Sequence, residues 1–386
     1  MAVIAPPRGL PVSRRSDLSL VRLDWSILLT VAALCGVGLL SIYSVTGPAR
    51  RLNGLDPYYY VQRQVLFIAI GVAVMALVSV IDYRRLREWA LPIYIVSTIF
   101  LLAVTVLARA RNGARAWFTV GPFQLQPSEF AKVTLILAIA ALVASDREED
   151  LPFHGFVRAL VVLGVPLAII VAQPDLGTAM VFVAIAVAVL LVAKANPRHI
   201  ALVTVLALFS VVLVVSTGLL QSYQVSRLTT FVDQKPNTND ESVERLVRQS
   251  QQSQRAIAGG ELTGRGYMQG PLTKGGYVPE QHTDFVFSAI GEQFGLLGSA
   301  GVLVLFAILL LRILRVAQIA RDQFGSLLCA GVLAALVWHV FQNVGMTMGI
   351  MPITGIPLPF MSYGGSSTIA FFAMIGLVQS VYLRRL

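Results

Sequence analysis

From about Asp24 onward the chain alternates between long apolar runs and short polar or basic interruptions. The runs begin near Asp24, Val61, Leu91, Glu129, Val157, Leu176, His199, Phe285, Phe324 and Gly364. Each is long enough to cross the roughly 30 Å hydrocarbon layer, which takes about 20 helical residues. The pattern predicts an all-α polytopic membrane protein with ten transmembrane helices. Residues 1–23 read as an N-terminal tail and 24–386 as a single transmembrane domain. Arg8, Arg14, Arg15 and Arg22 precede the first run as in a signal peptide. That run is too long, however, and lacks a small-residue cleavage site, so it is expected to remain as an anchor.

Between the seventh and eighth runs the pattern lapses into a long polar segment, 221–284. Within it Val243, Leu246, Val247 and Ile257 recur at roughly helical spacing between Glu241 and Ala258. This predicts an amphipathic helix, either lying on the bilayer surface or capping the bundle. A second irregular segment, Met351 to Ser367, carries three prolines and several glycines but no charge. It cannot be a regular helix, yet its apolarity predicts a re-entrant loop that dips into the membrane, where irregular backbone must pack in protein or line a cavity.

Composition sharpens this picture. Hydrophobic residues make up 56% of the chain and charged residues 13%, roughly half the charge of a soluble domain. Cys35 and Cys329 both fall in apolar runs, so they build neither a disulfide framework nor a zinc site. The net charge of +10 sits in short clusters between runs, which argues for membrane orientation and against nucleic acid. One set of segment ends holds Arg84, Arg85, Arg87, Arg147, Lys194, Arg198, Arg312, Arg315, Arg321, Arg384 and Arg385; the other holds Arg50, Arg51, Arg109, Arg111 and Arg115. Both termini are therefore expected in the cytoplasm, with 221–284 and the working face outside.

Ionisable residues at or inside spans are costly, so each is a candidate for function. Glu129 and Lys132 share a face at the start of the fourth run, with Ser128 as a natural N-cap and Arg115 in the preceding loop. Together they suit an anion, although a capped helix with a snorkelling lysine fits as well. Asp175 lies in a turn so short that it can simply cap the sixth helix. Asp284, beside His282 and Thr283, stands where the long loop enters the eighth run; partial desolvation there would suit a general base, with helix capping as the competing role. Glu292, two turns deeper, is expected to find a partner in the bundle, with the Arg115 and Lys132 cluster as the candidate. Gly364 to Ser367 open the last helix, whose free N–H groups suit a phosphate.

The ordered set Asn112 to Trp117, Gln126 to Lys132, Gln173 to Thr178, Pro279 to Phe285 and Pro352 to Ser367 resembles the SEDS family of shape, elongation, division and sporulation proteins over nearly the whole chain. The segment Pro352 to Phe360 is similar to the RodA-type elongation branch. Ala256 to Glu261 and Gly270-Pro271 depart from that branch, which puts the local conformation of the long loop in doubt. The resemblance implies a glycosyltransferase of the bacterial cell membrane that polymerises lipid II, the undecaprenyl-diphosphate-linked disaccharide peptide, on the outer face. It implies a class B penicillin-binding protein as crosslinking partner, within the elongation machinery and among membrane lipids. Asp284 corresponds to the family's essential aspartate and is expected to be the catalytic base. Arg115 and Lys132 are expected to hold the leaving diphosphate. Glu129 either positions Lys132 or helps bind a divalent cation, Mg or Mn, so the metal requirement stays open. His282, Thr283, Ser362, Tyr363 and Gly364 are expected to bind substrate. The rival function is a lipid II flippase; it is disfavoured because the ionisable residues crowd towards one surface, whereas a carrier places its site near the midplane.

Overall fold

The computed structural model describes residues 23–108, 116–120, 123–145, 150–201, 205 and 241–385. The described elements are α1 (Trp25–Leu52), α2 (Tyr59–Val80), α3 (Tyr83–Leu107), a hairpin of β1 (Phe118–Val120) and β2 (Phe123–Leu125), α4 (Pro127–Val143), α5 (Phe153–Ala172), α6 (Leu176–Val192), α7 (Glu241–Gly259), α8 (Pro271–Lys274), α9 (Val286–Gln318), α10 (Gln323–Thr347) and α11 (Gly365–Leu383). Seven of these helices, α1, α2, α3, α5, α9, α10 and α11, are long and apolar enough to cross a membrane. Two more apolar helices in the bundle, α4 and α6, have 17 residues each. The molecule is a polytopic membrane protein. The seventh predicted crossing, the tail before residue 23 and the part of the long loop before residue 241 lie outside the described residues.

Aspartates start four of the helices. Asp24 accepts from the Ser26 and Ile27 amides at 3.1 and 3.3 Å, Asp82 from Arg84 at 3.0 Å, Asp175 from Thr178 at 3.0 Å and Asp322 from Gly325 at 2.8 Å. Each satisfies an otherwise orphan N–H at a helix start. This is why α3 begins at Tyr83, a full two turns before its apolar run. At α4 the expected cap is not used: Gln126 is the N-cap, Pro127 takes the first helical position, and the Ser128 hydroxyl is buried with no hydrogen-bond partner among the described residues.

The bundle has two distinct polar ends. At one, Asp24 meets Arg312 and Gln379, while Tyr83 and Arg84 meet Asp322. At the other lie the starts of α2, α4 and α11, the α5–α6 turn and the loop carrying Asp284. Two features shape this second end. Helix α9 is broken at Gly295, whose φ of 64° suits glycine. Across the break Leu296 and Leu297 donate to the carbonyls of Glu261 and Leu262, while Arg265 and Gly266 donate to those of Glu292 and Gln293. The segment after α7 is thereby woven into the broken helix. Helix α7 itself packs against the bundle rather than lying on a bilayer: Val243, Ser250, Ser253 and Ala256 are buried, and Ser253 donates to the Thr347 carbonyl at 2.8 Å. Its buried stripe includes two serines with protein partners, Ser253 donating to Thr347 and Ser250 accepting from the Gln254 amide, and both would gain little from lipid.

The second feature is the Pro/Gly-rich segment before α11. It is irregular and plunges into the bundle, with Ile353, Ile356, Leu358, Phe360 and Met361 buried. Met361 reaches the middle of α1, where a Cβ on Gly38 would come within 2.6 Å of the Met361 Cα. The backbone of this loop is satisfied by side chains, as irregular structure at such depth requires. Gln342 donates to the Pro352 carbonyl at 2.9 Å, Asn343 to Ile356 at 2.8 Å and Gln64 to Ser362 at 3.2 Å.

Candidate active site

The most buried charge in this part of the molecule is Lys132. It is fully buried on α4, and its ammonium lies 2.8 Å from Glu129 Oε1 and 3.0 Å from His339 Nε2. Lysine can only donate, so Nε2 accepts and the imidazole proton sits on Nδ1, which donates to the Pro357 carbonyl at 3.2 Å. The Phe371 ring covers the ammonium at 5.8 Å. Lys132 therefore joins α4, α10 and the re-entrant loop. The groups that surround its ammonium in the structure are protein groups. One Glu129 carboxylate oxygen holds Lys132, and the other is buried with no hydrogen-bond partner among the described residues. Among the described residues no cluster of three or more His, Cys, Asp or Glu has the arrangement of a metal site.

One turn further along α10, about 6 Å towards the end of the bundle, Asn343 governs the second part of the site. Its amide nitrogen donates to the carbonyls of Asp284 and Ile356, both at 2.8 Å. Asp284 is half-buried and closes a turn in which its N–H donates to Glu280 at 3.0 Å. Phe285, and not Asp284, occupies the N-cap of α9. Two residues earlier, the His282 carbonyl accepts from the Tyr363 N–H at 2.9 Å, which stitches the Asp284 turn to the end of the re-entrant loop. Burial holds the His282 imidazole below its usual range, against the pull of Glu280, so the ring is neutral at pH 7. Thr283 is half-buried, and its hydroxyl donates to the Glu280 carbonyl at 3.1 Å.

The remaining predicted residues divide between scaffold and site. Ser362 is buried, and its hydroxyl accepts from the Leu358 N–H at 2.9 Å, so it shapes the loop. The Gly364 N–H donates to Gln64 at 3.2 Å, which occupies one of the amides expected to await a phosphate. Tyr363 is half-buried, with its ring beside those of Tyr60 and His282. Asp175 caps α6 and also lies 3.5 Å from Gln126 at the start of α4. Glu292 accepts from the Leu272 and Thr273 amides at 2.8 and 2.7 Å and from the Thr273 hydroxyl. It braces the start of the short helix α8 and is not paired with Lys132, because those amides need an acceptor. Arg115 and Asn112 to Ala114 lie outside the described residues.

The sequence reading missed His339, Gln342, Asn343 and Gln64. The signal was present: three polar side chains at i, i+3 and i+4 on one face of an apolar helix are expensive in a membrane and demand partners.

Comparison with known proteins shows the family. The family model described as the cell cycle protein FtsW/RodA/SpoVE matches residues 25–385. The chain belongs to the FtsW/RodA/SpoVE family. It is similar to the probable peptidoglycan glycosyltransferase FtsW of Geobacter metallireducens, with 34% identity over 94% of this chain and 95% of the relative. It is also similar to the peptidoglycan glycosyltransferase MrdB of Escherichia coli, with 32% identity over 95% of each chain. Among solved structures, a chain of a peptidoglycan synthase complex described as coordinating polymerization and crosslinking superimposes with a TM-score of 0.78. That match has 31% identity and covers 94% of this chain and 98% of that one. Membership makes this FtsW/RodA/SpoVE protein a membrane-embedded glycosyltransferase of the peptidoglycan class.

Proposed function

We propose that the chain polymerises lipid II into β-1,4-linked glycan strands, with Asp284 as the general base. The observation that carries this reading is the placement of Asp284, half-buried at one end of the bundle in a turn pinned by Asn343 and Tyr363. Such fixation suits a group that must meet a hydroxyl within hydrogen-bond reach, which contributes about 10²- to 10⁴-fold to rate. In the reaction Asp284 takes the proton of the acceptor sugar's C4 hydroxyl. That oxygen attacks the anomeric carbon of the donor sugar, and the bond to the diphosphate breaks with its electron pair leaving on the diphosphate. A single displacement converts the α-linked donor to a β bond without a covalent enzyme intermediate.

Arg115 is the cation proposed for the leaving diphosphate, since a guanidinium binds it bidentately. Lys132 and Glu129 act through position: they hold His339 and the re-entrant loop against which the Asp284 turn is built. A divalent cation, if used, would add charge stabilisation at the diphosphate. The basic residues gathered at the Asp24 end support cytoplasmic termini and an outward-facing Asp284 end. A class B penicillin-binding protein is the partner we propose, in keeping with the polymerising and crosslinking complex that the fold resembles. The Pro352 to Phe360 segment supports a role in elongation; the relatives named FtsW and MrdB are comparably similar.

The test is incubation of the purified protein with lipid II in detergent, where no second compartment exists. Glycan polymer is the expected product. Its absence, together with transbilayer movement of lipid II in vesicles, would establish the flippase instead.

A further inference from the structure

Three half-buried rings meet beside Asp284. The Tyr60 ring lies 4.9 Å from the His282 ring and 5.1 Å from that of Tyr363, and the last two are 5.7 Å apart, all centre to centre. They come from three different places: the first turn of α2, the turn that ends in Asp284, and the last residues of the re-entrant loop. Several independent contacts hold them together. Tyr363 N–H donates to the His282 carbonyl, and Gln64, one turn after Tyr60, grips the Ser362 carbonyl and the Gly364 amide. Arg63, packed over the Tyr59 ring at 4.4 Å, donates a side-chain hydrogen bond to Tyr363.

Tyrosines at a helix end in a membrane protein usually belong to the interfacial belt, with the ring among lipid headgroups. Tyr58 is 52% exposed and stacks on the Tyr43 ring, 5.2 Å away centre to centre. Tyr60 instead turns inward onto His282 and Tyr363, and none of the described residues bonds to its hydroxyl. A pyranose ring has the complementary chemistry. One face presents C–H groups that pack on an electron-rich aromatic face, while its edge presents hydroxyls. The neutral His282 ring adds apolar surface without placing a cation beside the base.

Given that Asp284 is the base, we infer that Tyr60, Tyr363 and His282 form an aromatic shelf that seats the acceptor sugar of the lipid-linked substrate, with its reacting hydroxyl edge towards Asp284. Tyr60 is then a substrate-binding residue, and Arg63 a positioning residue that fixes the Tyr363 ring.

The experiment measures steady-state polymerisation of lipid II by the full-length protein carrying Tyr60→Leu or Tyr60→Trp, alongside thermal unfolding of each. Leucine removes the stacking face and is expected to raise KM about tenfold, the size of one aromatic contact, with kcat within about twofold of wild type. Tryptophan restores a face and is expected to bring KM back. A wild-type KM for Tyr60→Leu would overturn the shelf. So would a loss confined to kcat and unfolding temperature that tryptophan does not rescue, which is the signature of packing alone. A second arm measures lipid II binding to Asp284→Asn protein with and without Tyr60→Leu, and about tenfold weaker binding is expected with it. If Asp284→Asn still polymerises, the base assignment fails. The binding arm still decides the shelf.

Discussion

At the Asp24 end, ions join the helices: Arg312 reaches Asp24 at 2.6 Å, Arg84 reaches Asp322 at 2.9 Å, and Arg384 lies 3.7 Å from Asp82. At the Asp284 end, neutral amides do the equivalent task, with Gln64, Gln342 and Asn343 gripping carbonyls of an irregular loop. At depth there, Lys132 pairs with Glu129, enclosed in protein. The difference teaches how the two ends divide their labour. Paired charges near the first end tie together helix termini that need only stay put. Amides fix the backbone of the loop and of the Asp284 turn without adding charge of their own.

Substitutions at each end break this contrast in different ways. The largest loss of stability is expected from Lys132→Ala, which leaves Glu129 buried beside no cation and costs about 3–5 kcal/mol. Pairing Lys132→Met with Glu129→Gln should recover most of it in denaturant unfolding of the purified protein. If Lys132→Met alone left stability intact and raised KM for lipid II, Lys132 would be a diphosphate ligand after all. Asn343→Ala strands the Asp284 and Ile356 carbonyls at about 1–3 kcal/mol for each that water cannot reach. It should lower polymerisation more than its loss of stability accounts for, because it frees the Asp284 turn. An Asn343→Ala protein with wild-type kcat would show that the turn needs no such pin.

The smallest effect belongs to the Asp24 end. Burial would raise the Asp322 carboxyl, but the Gly325 amide, the Tyr83 hydroxyl and Arg84 together hold it below the usual carboxylate range. Its contribution is therefore present above the ordinary carboxylate pKa and lost as pH falls through the lowered one. Asp322→Asn should cost about 1 kcal/mol or less, given the partial exposure of the pair. It should also flatten the fall of stability in acid while leaving polymerisation unchanged at neutral pH.

Much of this was legible in the residue pattern. Apolar runs located the nine described helices of the bundle to within a few residues, except α3. There Asp82 caps a start rich in arginine that hydropathy reads as loop. The prolines and glycines of Met351 to Ser367 announced a loop that enters the bundle. The pairing of Glu129 with Lys132 followed from their spacing. What stayed hidden was partnership across the chain. Spacing along α4 shows that Lys132 faces inward but not that His339, 207 residues away, closes over it. Likewise the sequence points Glu292 towards the Arg115 and Lys132 cluster, whereas the folded loop brings the Thr273 amide to it. The amphipathic pattern of α7 is the same whether its apolar side meets lipid or protein, and only the buried Ser253 decides.

The central claim is that Asp284 performs the proton transfer from a turn whose shape does not depend on its own carboxylate. The direct measurement is lipid II polymerisation by purified Asp284→Asn protein, with thermal unfolding recorded on the same sample. We expect glycan synthesis to fall by about 100-fold or more, with the unfolding temperature within a degree or so of wild type because Asn343 and Tyr363 hold the turn through its backbone. Polymerisation near the wild-type rate by a folded Asp284→Asn protein would contradict the account.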